Sequence, residues 1–348
     1  MPRVAVDAMG GDHAPGAAVR GALRAAREIP GVEVVLVGRE EAIRGELPGG
    51  ALPSNARIVP AADVLEMHEP PVDALRRKPD ASIARAMALL AGREVDAVVS
   101  AGHTGGAVAA ATFALERLPG ARRGGIAAPF PTRTGHCVLM DVGANLGAKA
   151  SDLVEYAVMA AEYARAVLEI AEPRVAILSV GGEEGKGSPL VRRAADALRR
   201  FRRVRFLGNV EGQQIFGGDV DVIVCEGFVG NVILKSSEGL LEAFVQHTLA
   251  RLRTHVGSES DDAFERSLAQ VLDDLRQRTD YTRYGGAPLI GYEGAIVICH
   301  GRSPPTAIRN AVAAADRYVS AGVNGRIAHA LAALAEDTEV AAALGGQA

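Results

Sequence analysis

The chain has 348 residues, 48% of them hydrophobic, with a formal charge of −4 and no tryptophan. That length carries one large α/β domain or two moderate ones around a sizeable core, and the acidic balance argues against non-specific nucleic-acid binding, which needs a basic surface. Cys137, Cys225 and Cys299 are far apart and odd in number, so they signal neither a disulfide framework nor a zinc cluster.

The opening Met1–Asp7 segment lacks the apolar stretch of a signal peptide. No apolar run reaches the ~18–20 residues that a membrane span needs, so a cytoplasmic protein is expected. Short apolar runs predict strands at Val4–Asp7, Glu33–Val37, Ala97–Ser100, Cys137–Asp141, Val175–Val180, Val204–Leu207, Val222–Cys225 and Ala295–Cys299. Between them, helical spacing predicts helices at Ala17–Glu28, Ser82–Ala91, Ala107–Arg117, Leu153–Ile170 and Leu190–Phe201. This alternation predicts the α/β class: a mostly parallel sheet covered on both faces, in a single catalytic domain over 1–348.

One stretch breaks the alternation. Leu240, Leu241, Phe244, Val245, Leu249 and Leu252 recur at helical spacing, and Phe264, Leu268, Val271, Leu272 and Leu275 repeat the pattern beyond a polar tip at Val256–Ser260. The pattern predicts a helical hairpin inserted over 236–283. Its apolar stripe needs cover, from a dimer partner, a lipid surface or its own domain.

Parallel sheets bind ligands beyond the carboxyl ends of their strands. Five Gly-rich, polar loops follow predicted strands: Asp7–Gly16, Ser100–Gly106, Asp141–Asn145, Gly181–Ser188 and Glu226–Asn231. Glycines bring backbone N–H groups close to an anion, and a following helix N-terminus adds free donors and partial positive charge. One such loop reads equally as an ordinary tight turn. Five of them, expected at one end of the sheet, point to an anion site.

Familiar fingerprints fail. The fourth loop resembles a P-loop only in part, because Gly187 follows Lys186 where Ser or Thr belongs, and Val180 replaces the leading glycine. There is no dinucleotide-binding glycine turn, no serine-hydrolase elbow and no metal-ligand spacing; no metal or organic cofactor is expected. Lys186 nonetheless stands between two glycines just before Ser188-Pro189, a helix-start signal, which makes it a candidate point charge for an anion.

Six ordered motifs carry a resemblance: DAMGGD at 7–12, SAGHTG at 100–105, DVGAN at 141–145, GKG at 185–187, GNVEG at 208–212 and EGFVGNVILK at 226–235, with YGGAPL at 284–289 and His300-Gly301 beyond them. Over residues 1 to about 330 the chain resembles the phosphate acyltransferase family. The resemblance implies a three-layer α/β fold of the isopropylmalate or isocitrate dehydrogenase type, a homodimer and loose membrane association. It implies transfer of a fatty acyl group from acyl carrier protein to inorganic phosphate, feeding phospholipid synthesis. By position it makes Lys186 and Glu226 the catalytic pair. Substrate contacts fall to Asp7, Gly10, Gly11, Asp12, Ser100, Gly102, His103, Thr104, Gly105, Asp141, Gly143, Asn145, Gly185, Gly187, Asn209, Gly227, Asn231 and His300.

The chain departs from the family in four places. Glu226 replaces the usual Asp, moving the carboxylate out on the order of 1 Å, a shift that can cost about 10²-fold in rate; Glu183 or Glu184 is an alternative for its role. His103 replaces Asn and reads either as a tolerated loop substitution or as a pH-sensitive contact. After Asn145 only Lys149 of the family stretch remains. The hairpin tip at Val256–Asp262 is polar and acidic, which weakens the case for an anionic membrane. Arg192, Arg193, Arg199, Arg200, Arg202, Arg203 and Arg205 crowd one helix and its exit, as a solvated face or a docking surface for an acidic carrier. Two other readings stay open: an enzyme of this kind with an acyl-coenzyme A donor, and a fold-mate that binds phosphate or acyl chains without turnover.

Overall fold

The computed structural model describes residues 1–255, 270–271 and 285–345. Among them, eleven strands form one sheet: β1 (Arg3–Asp7), β2 (Glu33–Gly38), β3 (Ala56–Pro60), β4 (Ala97–Ser100), β5 (Gly125–Pro131), β6 (His136–Met140), β7 (Arg174–Leu178), β8 (Arg205–Val210), β9 (Val222–Val224), β10 (Ala287–Ile290) and β11 (Ala295–Ile298). Their order across the sheet is β3-β2-β1-β4-β11-β10-β5-β6-β9-β7-β8. The helices are α1 (Gly16–Glu28), α2 (Glu40–Gly45), α3 (Pro71–Arg77), α4 (Ser82–Ala91), α5 (Thr104–Ala114), α6 (Ala150–Val167), α7 (Pro189–Arg200), α8 (Gly227–His255), α9 (Pro305–Ser320), α10 (Val323–Ala335) and α11 (Thr338–Ala343).

The inner strands are largely apolar because both faces are covered, whereas the edge strand β8 is partly exposed. Alternate residues of β1 feed two separate cores, as the two-residue period of a strand requires. Val4 and Val6 pack with α1, α6, α7, α9 and α10, while Ala5 packs on the other face with α4 and α5. The result is the expected three-layer α/β arrangement.

Three strands are absent from the sequence expectation: β3, β5 and β10. The last two matter most. β5 contains Pro129 and Pro131, and β10 contains Pro288; proline removes a ladder donor, so such runs read as non-strand. Yet β5 and β10 sit at the sheet's centre, where β10 is antiparallel to both β11 and β5, and β5 is antiparallel to β6. The flanking groups β3-β2-β1-β4-β11 and β6-β9-β7-β8 are each parallel internally. Three reversals separate them, so their carboxyl ends face opposite edges. The expectation that all five loops leave one end of the sheet is therefore corrected. Two loops open at one edge and three at the other.

α8 is one continuous helix from the fifth loop to His255, so the first arm of the expected hairpin continues the helix that Gly227 opens. Leu240 and Phe244 on it are 74% and 55% exposed. Residues 270–271 are helical. The tip and the rest of the second arm lie outside the described residues. No described helix is long and apolar enough to cross a membrane.

Candidate active site

The Lys186 loop is shaped by its glycines and held by Asn209. β7 ends beside Ser179, and the chain turns through 179–188 into α7, where Ser188 Oγ accepts from Val191 N–H at 3.3 Å and Pro189 takes the first helical position. Gly187 has φ +99°, and a Cβ there would lie 2.8 Å from both Ser179 Oγ and Val191 Cγ1; only glycine fits. Asn209 Nδ2, on β8, donates to the carbonyls of Glu183 (3.0 Å) and Lys186 (3.2 Å). The loop makes one backbone hydrogen bond of its own, Lys186 N–H to the Glu183 carbonyl at 3.2 Å. Ser179 N–H donates to the Val210 carbonyl at 2.8 Å, the amides from Gly181 to Gly185 stay unspent, and the Lys186 side chain is exposed. Among the described residues, three buried side-chain polar atoms lack a hydrogen-bond partner: Ser179 Oγ, Asn209 Oδ1 and Ser303 Oγ. Two of the three flank this loop. Buried polar atoms are normally satisfied, so the hydrogen-bonding capacity there is held open.

Glu226 follows β9, the strand beside β7, so the two loops leave the same edge on neighbouring strands. Its carbonyl accepts the Gly230 N–H at 3.0 Å, which makes it the residue that caps α8. Its half-buried carboxylate has no hydrogen bond or ion pair among the described residues. The free amides of the first turn of α8 and their dipole favour negative charge there.

The third loop behaves differently from expectation. Asp141 is 0% exposed. Its carboxylate accepts from the N–H groups of Ile126 (3.0 Å), Gly143 (3.1 Å), Ala144 (2.9 Å) and Asn145 (2.8 Å), and from Asn145 Nδ2 (3.2 Å). The amides expected to cradle an anion are thus filled from within, by the protein's own carboxylate. Asn145 Nδ2 also donates to the Gly124 carbonyl and Tyr156 Oη. This rigid knot is the floor on which α8 sits: a Cβ at Gly227 would strike the Asn145 carbonyl, one at Gly230 would strike the Asp141 carbonyl, and Gly143 packs against Asn231.

At the opposite edge, Asp7 is 3% exposed and accepts from Ser82 Oγ (2.6 Å) and Ser100 Oγ (2.7 Å). Burial pushes its carboxyl up from the ordinary value, against the two hydroxyls that lower it. Gly102 N–H donates to Ser100 Oγ, and a Cβ at Gly10 would lie 2.6 Å from Asp7 Oδ2. Asp12 N–H donates to the Gly301 carbonyl at 2.8 Å, which brings in the loop after β11. His103 caps α5: its Nδ1 accepts from Gly106 N–H at 3.2 Å, which fixes Nε2 as the protonated nitrogen. Thr104 and Gly105 open that helix.

The predicted residues therefore form two groups. Asp7, Gly10, Gly11, Asp12, Ser100, Gly102, His103, Thr104, Gly105 and His300 gather at one edge. Asp141, Gly143, Asn145, Gly185, Lys186, Gly187, Asn209, Glu226, Gly227 and Asn231 gather at the other. α8 spans the two. It begins at Gly227, and eleven residues on, ~16 Å along the axis, Glu238 Oε2 lies 3.9 Å from His300 Nε2. Burial, then Lys235, lowers the His300 pKa. Sequence reasoning missed Ser82 and Ser179, which lie in no motif and are recognisable only from the strands that bring them in. The three thiols are buried, those of Cys137 and Cys299 pushed up to about 12 and that of Cys225 also raised, so none is a ready nucleophile.

The family model for fatty acid synthesis protein matches residues 2–326. A phosphate acyltransferase of Citrifermentans bemidjiense is 45% identical over 330 residues, covering 94% of this chain and 92% of that one. That of Geobacter sulfurreducens is 44% identical over 327 residues, covering 94% and 93%. The chain belongs to the phosphate acyltransferase family. At the level of fold alone, a phosphotransacetylase from Streptococcus pyogenes aligns with TM-score 0.59 at 16% identity, covering 92% of this chain and 94% of that one. A 4-hydroxythreonine-4-phosphate dehydrogenase from Klebsiella pneumoniae aligns with TM-score 0.51 at 14% identity, covering 91% and 99%. In this chain the GKG loop and the acid ahead of α8 follow adjacent strands, β7 and β9.

Proposed function

We propose that the chain transfers a fatty acyl group from acyl carrier protein to inorganic phosphate, giving acyl phosphate for phospholipid synthesis and the free carrier thiol. The observation that carries this reading is the Lys186 loop: an exposed ammonium between two glycines, unspent amides from Gly181 to Gly185, and the orphan Ser179 hydroxyl beneath. Phosphate is already an anionic nucleophile at neutral pH, so it needs holding more than deprotonating. Lys186 and the loop amides hold it. A phosphate oxygen then attacks the thioester carbon, a C–O bond forms, and the C–S bond breaks to release the carrier thiolate. Lys186 offsets charge on the transient oxyanion, while Glu226 orients the phosphate and accepts any proton it sheds. Buried cysteines fit direct transfer to phosphate without an acyl-thioester intermediate on the enzyme.

The same reading takes the frame as isopropylmalate dehydrogenase-like, supported by the large mixed sheet with apolar cores on both faces. It treats the chain as one catalytic domain acting in the cytoplasm. It gives residues 236–283 to a homodimer or weak peripheral membrane contact, supported by exposed Leu240 and Phe244.

The test is phosphate-dependent release of thiol from palmitoyl-acyl carrier protein, with Lys186→Ala as control. Release that falls at least about 10²-fold in the variant is the expected result. Release only from palmitoyl-coenzyme A would reassign the donor. A folded protein that turns over neither thioester would sink the enzymatic reading.

A further inference from the structure

α7 leads straight out of the Lys186 loop, and its outward face is arginine. Arg192, Arg193, Arg199 and Arg200 are exposed on it, with Arg202, Arg203 and Arg205 at its exit. Positions 192, 193, 196, 199 and 200 share one side of a helix, and Asp196 is the single acid among them. The structure separates arginines that are neutralised from those that are not. Arg199 pairs with Glu184 at 3.2 Å, Arg200 with Asp196 at 3.1 Å, and Arg205 lies 3.9 Å from Glu172. Arg193, Arg202 and Arg203 have no acidic partner among the described residues. Arg192 Nη1 donates to the Gly187 carbonyl at 3.0 Å, which ties this face to the loop that carries Lys186. In a chain with net charge −4, such a concentration of unpaired cations is local and directional.

From this we infer that the arginine face of α7 docks an acidic protein surface, namely that of the carrier bearing the acyl thioester. The inference rests on the transfer reaction proposed above and adds where the carrier sits. Charge complementarity selects an acidic partner and speeds encounter. A membrane fits less well. A helix that lies in a lipid interface inserts an apolar face, whereas the apolar face of α7, Ala194, Ala195, Ala197 and Leu198, is buried in the core. A carrier lying along α7 has its thioester-bearing arm opening onto Lys186.

The experiment compares wild type with the triple variants R193E/R202E/R203E and R193K/R202K/R203K. Turnover is measured with palmitoyl-acyl carrier protein and with S-palmitoylpantetheine, which lacks the protein. Binding of thiol-bearing carrier is followed by fluorescence anisotropy at low and high salt. The charge-reversed protein is expected to raise KM for the acylated carrier by about tenfold or more with kcat kept. It should also weaken carrier binding at low salt and leave pantetheine turnover unchanged, and the lysine variant should stay near wild type. An unchanged carrier KM and affinity would overturn the proposal and leave a solvated face. Equal losses on both donors would overturn it in favour of a role in shaping the loop. Loss of binding to phosphatidylglycerol vesicles with carrier binding intact would assign the face to membranes instead. If wild type turns over neither donor, the reaction assignment fails, and the anisotropy still decides the docking surface.

Discussion

At the scale of single residues, two of the chain's departures from the family resemblance, His103 and Glu226, have different structural meanings. His103 stands where the resemblance implies Asn, and both side chains can accept a hydrogen bond from the first turn of a helix. The imidazole keeps that job through Nδ1, which gives the loop substitution a plain cause. His103→Asn is therefore expected to leave stability unchanged, while His103→Ala loses about 1 kcal/mol, read from urea denaturation midpoints; an alanine variant as stable as wild type would remove the cap from the account. Glu226 differs, because an Asp there is short enough to cap α8, and Glu226 instead leaves its carboxylate unbonded. The motifs made Lys186, Glu226 and Asn209 legible from sequence. They did not distinguish an acid left without a hydrogen bond from one spent inside the fold, since Asp141 and Glu226 look alike in a one-dimensional string. Only the five donors around Asp141 tell them apart.

At the scale of elements, the parallel strands other than β3 were readable because each is a short apolar run next to a helical repeat. β1, β2, β4 and β11 lie within a residue of their expected bounds. β5 and β10 were not, because their prolines imitate turns and their pairing is supplied by partners far away in sequence. α8 was read as one arm of an insertion, yet it is anchored at its start by the Asp141 knot. That anchoring leaves no space at Gly230, where a Cβ would meet the Asp141 carbonyl. Gly230→Ala is expected to cost about 1–3 kcal/mol as overpacking, seen as a lower denaturant midpoint. Gly239, with open space around it, is the control position at which alanine should be tolerated. Equal stability of wild type and Gly230→Ala would mean that α8 slides freely over the loop.

At the scale of the whole molecule, a buried carboxyl ties stability to pH. Glu155 on α6 is 5% exposed. Burial pushes its carboxyl up to about 7 from 4.5, although Arg122 holds it by a backbone bond of 2.8 Å and an ion pair of 3.3 Å. Between those two values the folded chain keeps a proton that the unfolded chain has lost. This contribution is full below pH 4.5 and disappears as pH rises through about 7. Glu155→Gln should flatten the decline of the urea midpoint across that window, and an unaltered slope would contradict the assignment. The strand order has a consequence for the nascent chain. β11 lies between β4 and β10, yet it is synthesised roughly two hundred residues after β4. At ~5–20 residues per second, β4 waits roughly 10–40 s on the ribosome with one edge unpaired. Such an edge is an aggregation hazard, so the newborn amino-terminal half is expected to depend on chaperones until its last strand arrives.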